Sequence, residues 1–245
     1  MKLTVFFTPL GIGNQPLAGK PVLVIDVLRS TTSIVAALSH GARAVVPAAS
    51  GDDALQLAQN LERGSVLLAG ERGSLRIEGF ALGNSPLEMS CETVAGKTIV
   101  MSTTNGTPAM LAAESGNPVL ISAITNFSAV VARAREEFEE HGEITILCSG
   151  RQSMFSLEDA YVAGRLAAEI IPGRERRRAE LNDAAIAALE LARHYGDKWR
   201  RAVLSSAAAR DLKRLGFKKD IDAATEVDSH TVVPVYSKRL ITIPD

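Results

Sequence analysis

The feature that most constrains this chain is a repeated switch between short β-branched apolar runs and helix-length segments. Residues Val22–Ile25 (VLVI) are apolar at every position, too short and too branched for a helix, and read as a strand buried on both faces. A helix over residues 31–39 follows, with hydroxyl residues before it and Gly41 after it. The switch recurs as strands over 44–46, 66–69, 98–101, 119–122 and 144–148, with helices over 52–63, 107–115 and 126–140. Residues 156–215 read as nearly all helical, broken at Pro172-Gly173 and Tyr195-Gly196, and residues 231–236 and 240–243 read as closing strands. This order predicts βαβ units, hence an α/β fold of three α/β/α layers around a mixed, largely parallel sheet. No low-complexity linker interrupts residues 1–245, so a single domain is expected.

There is also a weak internal echo. One strand leads into Ser30-Thr31-Thr32 and an alanine-rich helix ending near Gly41; another leads into Ser102-Thr103-Thr104 and an alanine-rich helix ending at Gly116. Duplicated β-α-β units would explain it.

Charge and cysteine usage narrow the partners. A net charge of -1 gives no broad electrostatic case for nucleic acid or an anionic membrane. Cys91 and Cys148 are too few for a disulfide framework, which fits a reducing cytoplasm. The first apolar run is cut by Pro9, Gly11, Gly13 and Asn14, so no signal peptide is expected, and no run approaches the roughly 18 apolar residues of a membrane span. The run Arg174, Arg176 to Arg178 reads as a solvated helix face, and the four histidines show no metal-ligand spacing. The P-loop pattern, the G-x-G-x-x-G fingerprint and the G-x-S-x-G elbow are absent.

The chemistry concentrates where strands end. In an open α/β sheet ligands bind beyond the carboxyl ends of strands, beside unpaired N–H groups of the next helix. There Asp26 and Arg29 flank the hydroxyl run Ser30 to Ser33; a carboxylate beside anion donors suggests a phosphate held with a divalent cation. The plain alternative is a helix cap from Ser30 or Thr31 and an Asp26–Arg29 pair. Comparable turns follow at Gly70-Glu71-Arg72-Gly73, at Ser102-Thr103-Thr104-Asn105-Gly106-Thr107 and at Ser149-Gly150, all expected at one edge of the sheet. Gly83-Asn84-Ser85-Pro86-Leu87-Glu88 and Ser156-Leu157-Glu158-Asp159 have the form of capping boxes, with ligand roles as the second reading. Cys148 reads as a buried small residue, since its loop lacks the pattern of a cysteine phosphatase.

In order, VIDVLRSTTS, GERG, GFALGNSP, STTNGT, CSG and FSLEDAYVAG resemble the 2-phosphosulfolactate phosphatase (ComB) family. The resemblance runs from about residue 3 to 236 and takes in residues 216–221 and Val233-Pro234. It implies an α/β/α fold and a magnesium-dependent hydrolase that releases phosphate from 2-phospho-3-sulfolactate, a step towards coenzyme M. On that basis Asp26, Arg29, Glu71 and Arg72 are the expected catalytic residues, with Mg²⁺ held by Asp26, Glu71, Glu158 and Asp159. Substrate contacts are expected from Ser30, Thr31, Thr32, Asn84, Ser85, Ser102, Thr103, Thr104, Asn105, Gly106, Thr107, Ser149, Gly150 and Ser156. The partner is a small anionic phosphoester, with no nucleic acid and no membrane, and a homodimer is the expected assembly. Asp26 is open as metal ligand or as nucleophile; Leu28 stands where haloacid-dehalogenase phosphatases carry their second Asp. A non-catalytic binding protein for the same anion and a phosphotransferase are the rival readings.

Overall fold

The structure is a computed structural model and describes residues 1–13, 15–62, 64–173 and 178–244. Arg174, Arg176 and Arg177 of the basic run lie outside the described residues; Arg178 is exposed. The strands are β1 (Lys2–Phe6), β2 (Val22–Ile25), β3 (Ala44–Pro47), β4 (Val66–Arg72), β5 (Leu75–Arg76), β6 (Thr98–Ser102), β7 (Val119–Ser122), β8 (Glu143–Cys148), β9 (Glu180–Leu181), β10 (Val235–Ser237) and β11 (Leu240–Thr242). The first α-helices are α1 (Ser30–Ser39), α2 (Gly51–Gln59), α3 (Cys91–Val94), α4 (Gly106–Ala112) and α5 (Phe127–His141). They are followed by α6 (Leu157–Ile170), α7 (Asp183–Tyr195), α8 (Trp199–Leu204), α9 (Ala207–Arg214) and α10 (Lys218–Ala224).

The strands form one mixed, mostly parallel sheet in the order β5-β4-β6-β3-β11-β10-β7-β2-β8-β1-β9. Side chains alternate across it. Leu23 and Ile25 enter a core shared with α5 and α6, while Val22 and Val24 enter a second core shared with α1 and α4. That double burial is why the run VLVI lacks any polar position. Among the described residues no helix is long and apolar enough to cross a membrane.

Two departures from the expected elements are informative. Residues 156–215 are not continuous helix, because Glu180–Leu181 pairs in parallel with β1. Asn182 extends that edge: its amide accepts from Val5 N at 3.0 Å and donates to Val5 O at 2.8 Å, while capping α7 through Ala185 N. A side chain that imitates a strand partner has no periodicity to betray it. The other departure is the sense of the sheet. β3-β6-β4 and β7-β2-β8-β1 are parallel blocks joined by the hairpin β10–β11, whose pairings with β7, with each other and with β3 are all antiparallel. Three reversals make the two blocks run in opposite senses, so the turns after β2 and β8 do not leave the same edge as those after β4 and β6. They meet nonetheless, where the starts of α1 and α4 touch at Ser30 and Gly106. β2 and β6, the strands of the internal echo, each sit between two parallel neighbours in their own block.

The contact between α6 and α7 is made by backbone. A Cβ on Gly164 would lie 1.9 Å from the Ala188 carbonyl oxygen. Gly164→Ala should therefore force these helices apart and lower stability by about 2 kcal/mol. A urea-unfolding midpoint equal to wild type would contradict this packing.

Candidate active site

Asp26 follows β2 directly and is only 5% exposed. The turn around it is closed by Thr31, whose hydroxyl accepts from Asp26 N at 3.0 Å and donates to Asp26 O at 2.9 Å. After β6 the same device recurs: Thr107 accepts from Thr103 N at 3.0 Å. Thr31 and Thr107 are each the second residue of their helix, so the echo in the sequence is a repeated strand-to-helix joint. Thr32 is likewise committed, donating to Val27 O at 2.8 Å. Four hydroxyls that the sequence suggests as substrate contacts (Thr31, Thr32, Thr103 and Thr107) thus shape the joints. None of them caps its helix at the N-cap position, which Arg29 and Asn105 occupy.

The two joints meet at Asp26. The Ser30 N–H donates to Asp26 Oδ1 at 3.2 Å, and a Cβ on Gly106 would lie 2.3 Å from Ser30 Cβ and 2.7 Å from Asp26 Oδ2. Only glycine lets the starts of α1 and α4 approach this closely. Glu71 ties together the turns of its own block, accepting from Ser74 N and Thr104 N at 2.7 Å each. Asp159 accepts from Val27 N at 2.9 Å and from the Ser149 hydroxyl at 3.1 Å. Together Asp26, Glu71, Glu158 and Asp159 line a cavity of about 40 Å³ with Arg29, Asn84, Asn105 and Gly150. A wider cleft of about 360 Å³ adjoins it, lined by Glu71, Thr104, Arg151, Gln152, Asp211 and Arg214 among others.

Electrostatically the inner cavity is strained. Burial raises Asp26 from 3.8 to about 7, with the charges of Glu71 and Glu158 adding to the rise and the Ser30 N–H opposing it. Glu158 is raised mainly by burial, and Asp159 is raised by burial and by the charges of Glu158 and Asp26. A cation among these carboxylates would offset their burial and mutual repulsion. The donors are all hard oxygens, and Asn84 Oδ1 and Ser30 Oγ are buried without a hydrogen-bond partner, so the residues present fit a divalent cation such as Mg²⁺.

Other expected residues are placed differently. Arg29 lines the cavity but its fork is taken: Nη1 donates to Asp220 Oδ2 at 2.6 Å and Nη2 to Ser74 O at 2.7 Å, over the Phe217 ring. It does not pair with Asp26. Arg72 is exposed and bound to Ser102 Oγ at 2.9 Å and Glu71 O at 2.7 Å, outside both cavities. Ser85 accepts from Leu87 N at 3.2 Å as expected, but Glu88 accepts from Gly83 N at 2.6 Å, so no capping box forms; Ser85 Oγ also donates to Asp220. Ser156 is the N-cap residue of α6 but its side chain makes no cap bond, and Asp159 bonds Val27 N and the Ser149 hydroxyl, so no capping box forms and Glu158 and Asp159 line the cavity. Burial, with Asp159 and Glu158, pushes the Cys148 thiol well above its ordinary value, which suits a core residue and not a nucleophile. The sequence reading missed Arg151, Asp211, Arg214 and Asp220. Arg151 carried a signal as the residue after Ser149-Gly150, and Asp220 as part of the 216–221 segment of the resemblance; Asp211 and Arg214 lie on α9 as ordinary charged helix positions.

Residues 6–239 match the 2-phosphosulpholactate phosphatase family. The chain belongs to this family. A protein of Caldanaerobacter subterraneus subsp. tengcongensis named "Probable 2-phosphosulfolactate phosphatase" is 36% identical over 234 residues, spanning 96% of this chain and 95% of its own. Proteins of the same name from Deinococcus radiodurans and Clostridium novyi are 39% and 34% identical, spanning 86% and 99% of this chain and 85% and 100% of their own. The phosphatase family thus extends over both sheet blocks and every carboxylate of the cavity.

The raised aspartate gives a stability signature. Asp26 holds a proton more tightly folded than unfolded, so protonation favours the fold fully below 3.8 and that advantage is lost as pH rises through about 7. Without divalent cations the melting temperature should fall by at least about 3 °C between about pH 5 and pH 8. In Asp26→Asn the fall should be smaller. Scanning fluorimetry decides it: parallel profiles for the two proteins would contradict the burial of a titrating Asp26.

Proposed function

We propose that this protein is a magnesium-dependent phosphatase that hydrolyses 2-phospho-3-sulfolactate to 3-sulfolactate and phosphate. The observation that carries this reading is the convergence of Asp26, Glu71, Glu158 and Asp159 with the unpartnered Asn84 Oδ1 on one small cavity, in a chain of this family. A non-catalytic anion-binding protein is disfavoured by the same feature, since a plain anion pocket would have cationic donors at its floor, not four carboxylates. A soluble cytoplasmic homodimer remains our proposal for compartment and assembly; the two unpaired cysteines are compatible with a reducing compartment.

Asp26 and Glu71 would hold Mg²⁺, assisted by Asn84 Oδ1. The chemistry that ion supplies when bound is neutralisation of phosphoryl charge and activation of an attacking oxygen. Asp159 accepts from Val27 N and the Ser149 hydroxyl and so keeps the β2–α1 turn against the Ser149 loop. Glu158 lies in the same cavity with a raised proton affinity, and moves the proton: it receives one from the attacking water and returns one to the sulfolactate oxygen as the P–O bond breaks. Arg29 acts by holding Asp220 and the Ser74 carbonyl, which fixes the cavity wall.

In Asp26→Asn, phosphate release from 2-phospho-3-sulfolactate should fall by at least about a thousandfold, because a neutral amide is a poor ligand for a hard cation. Isothermal titration with Mg²⁺ should show binding to wild type and a large loss in the variant, while circular dichroism stays unchanged. Turnover near wild type in Asp26→Asn, or turnover indifferent to chelation of divalent cations, would sink the metal assignment.

A further inference from the structure

The inner cavity accounts for one phosphoryl group, but the cleft beside it is far larger and differently charged. It is about 360 Å³ and shares Glu71, Ser74, Asn105, Arg151 and Asp211 with the inner cavity, so one ligand can span both. Its cations are not locked into the core as Arg29 is. Arg151 and Arg214 each bond a separate oxygen of Asp211, and the two arginine side chains are 34% and 78% exposed. We propose that Arg151 and Arg214 are the specificity clamp for the substrate's acidic groups remote from the phosphate, and that Asp211 is an internal stand-in displaced when those groups bind. This rests on the phosphatase reading above and adds the residues that recognise the acidic groups remote from the phosphate.

The geometry supports an exchange of partners. A solvent-accessible ion pair is weak, because water and salt screen it, so a ligand carboxylate or sulfonate replaces Asp211 at little cost. Two planar forks that converge on one carboxylate are already spaced for two acidic groups of one small molecule. The Asp211 carboxyl is held below its ordinary value, first by Arg214, so it stays ionised and keeps the forks in place until a ligand arrives.

Arg151 is also built in rather than loosely attached. Residues Arg151 to Met154 form a closed turn, with Arg151 N donating to Met154 O at 2.8 Å and Met154 N to Arg151 O at 2.9 Å. The central residues Gln152 and Ser153 have φ of 51° and 62°, a region that favours glycine or asparagine. Gln152 N donates to Asn105 Oδ1 at 2.8 Å, tying the turn to the β6–α4 joint across the cleft. On the other side a Cβ at Gly150 would meet Met154 O at 2.5 Å and Thr8 Cγ2 at 2.7 Å. The turn is wedged between the two sheet blocks, and Arg151 takes its direction from both.

Calorimetric titration of the full-length protein with 3-sulfolactate, and with lactate as the analogue lacking sulfonate, tests the clamp without turnover. Wild type should prefer sulfolactate by about tenfold or more, and Arg151→Gln and Arg214→Gln should each lose about tenfold in sulfolactate affinity. Asp211→Asn should bind sulfolactate more tightly, because the internal competitor is gone; a merely structural Asp211 would give the opposite or no change. Unchanged sulfolactate affinity in both arginine variants, or no tightening in Asp211→Asn, overturns the clamp. Kinetics separate this from the activity itself, since the clamp predicts a rise in KM larger than the fall in kcat for the arginine variants. Phosphate release with KM unchanged in both overturns the clamp and leaves the phosphatase standing. Absent release alongside the expected binding pattern does the reverse.

Discussion

Where α1 and α4 begin, the chain leaves no room for a side chain: the Gly106 backbone lies against Ser30 and Asp26. The close approach brings the positive ends of two helices to one carboxylate. It also removes the water that would otherwise solvate it. For Asp26 the second effect wins, since its proton affinity rises to about 7 despite the Ser30 N–H. The neighbouring carboxylates reinforce the rise, so the resting site is an acidic cavity under its own repulsion. On the proposed function a divalent cation would relieve that repulsion and offer the phosphate a positive charge to meet, so metal and phosphate affinity would both follow from one tight contact.

The charge of the site is layered. Carboxylates line the floor, and arginines paired with Asp211 line the mouth. The excess of acidic groups in the site is offset elsewhere in a chain of net charge -1, so overall charge was silent about it. On the proposed function this layering would order the ligand: acidic groups would be repelled from the floor except where a cation screens it, so the ester end would enter and the remaining acids would stay with the arginines.

Much of this was legible in sequence, for physical reasons that differ by residue. Val22–Ile25 was readable because burial on both faces demands an unbroken apolar run. Asp26 and Glu71 stood out because ionisable residues after apolar strand runs are where α/β sheets bind ligands, whereas Glu158 and Asp159 read first as a capping box and entered the metal set only through the family resemblance. The roles of the hydroxyls were not readable, since Thr31 and Thr107 satisfy backbone groups of their own turns, and a cap and a ligand donor look alike in a sequence. Arg29 looked like a substrate fork because its partner Asp220 lies 191 positions away. β1 went unassigned because its run, Lys2–Phe6, was weighed only as a leader segment, and β9 is too short to show a period. The expectation of one common edge failed because pairing sense across β10 and β11 is a long-range property.

That pairing sense explains why the last strands matter to residues so far upstream. β3 and β7 would otherwise be exposed sheet edges, each with unpaired backbone groups. β10 covers β7 through Val235 and Tyr236, and β11 covers β3 through Ile241, with Tyr236 and Ile241 buried in the core of α1 and α4. The hairpin therefore fixes both the separation and the relative rotation of the two parallel blocks. Asp26 belongs to one block and Glu71 to the other, and they share a cavity of about 40 Å³. A slip of two residues in either hairpin pairing preserves the side-chain alternation, and so the core pattern, yet shifts one block by about 6.5 Å along the strand. That distance exceeds the size of the cavity itself. The contact of Gly106 with Ser30, the Arg29 bond to Ser74 O and the Gln152 N–H bond to Asn105 Oδ1 all join the two halves and oppose such a slip, which places the geometry of the site among the determinants of the fold.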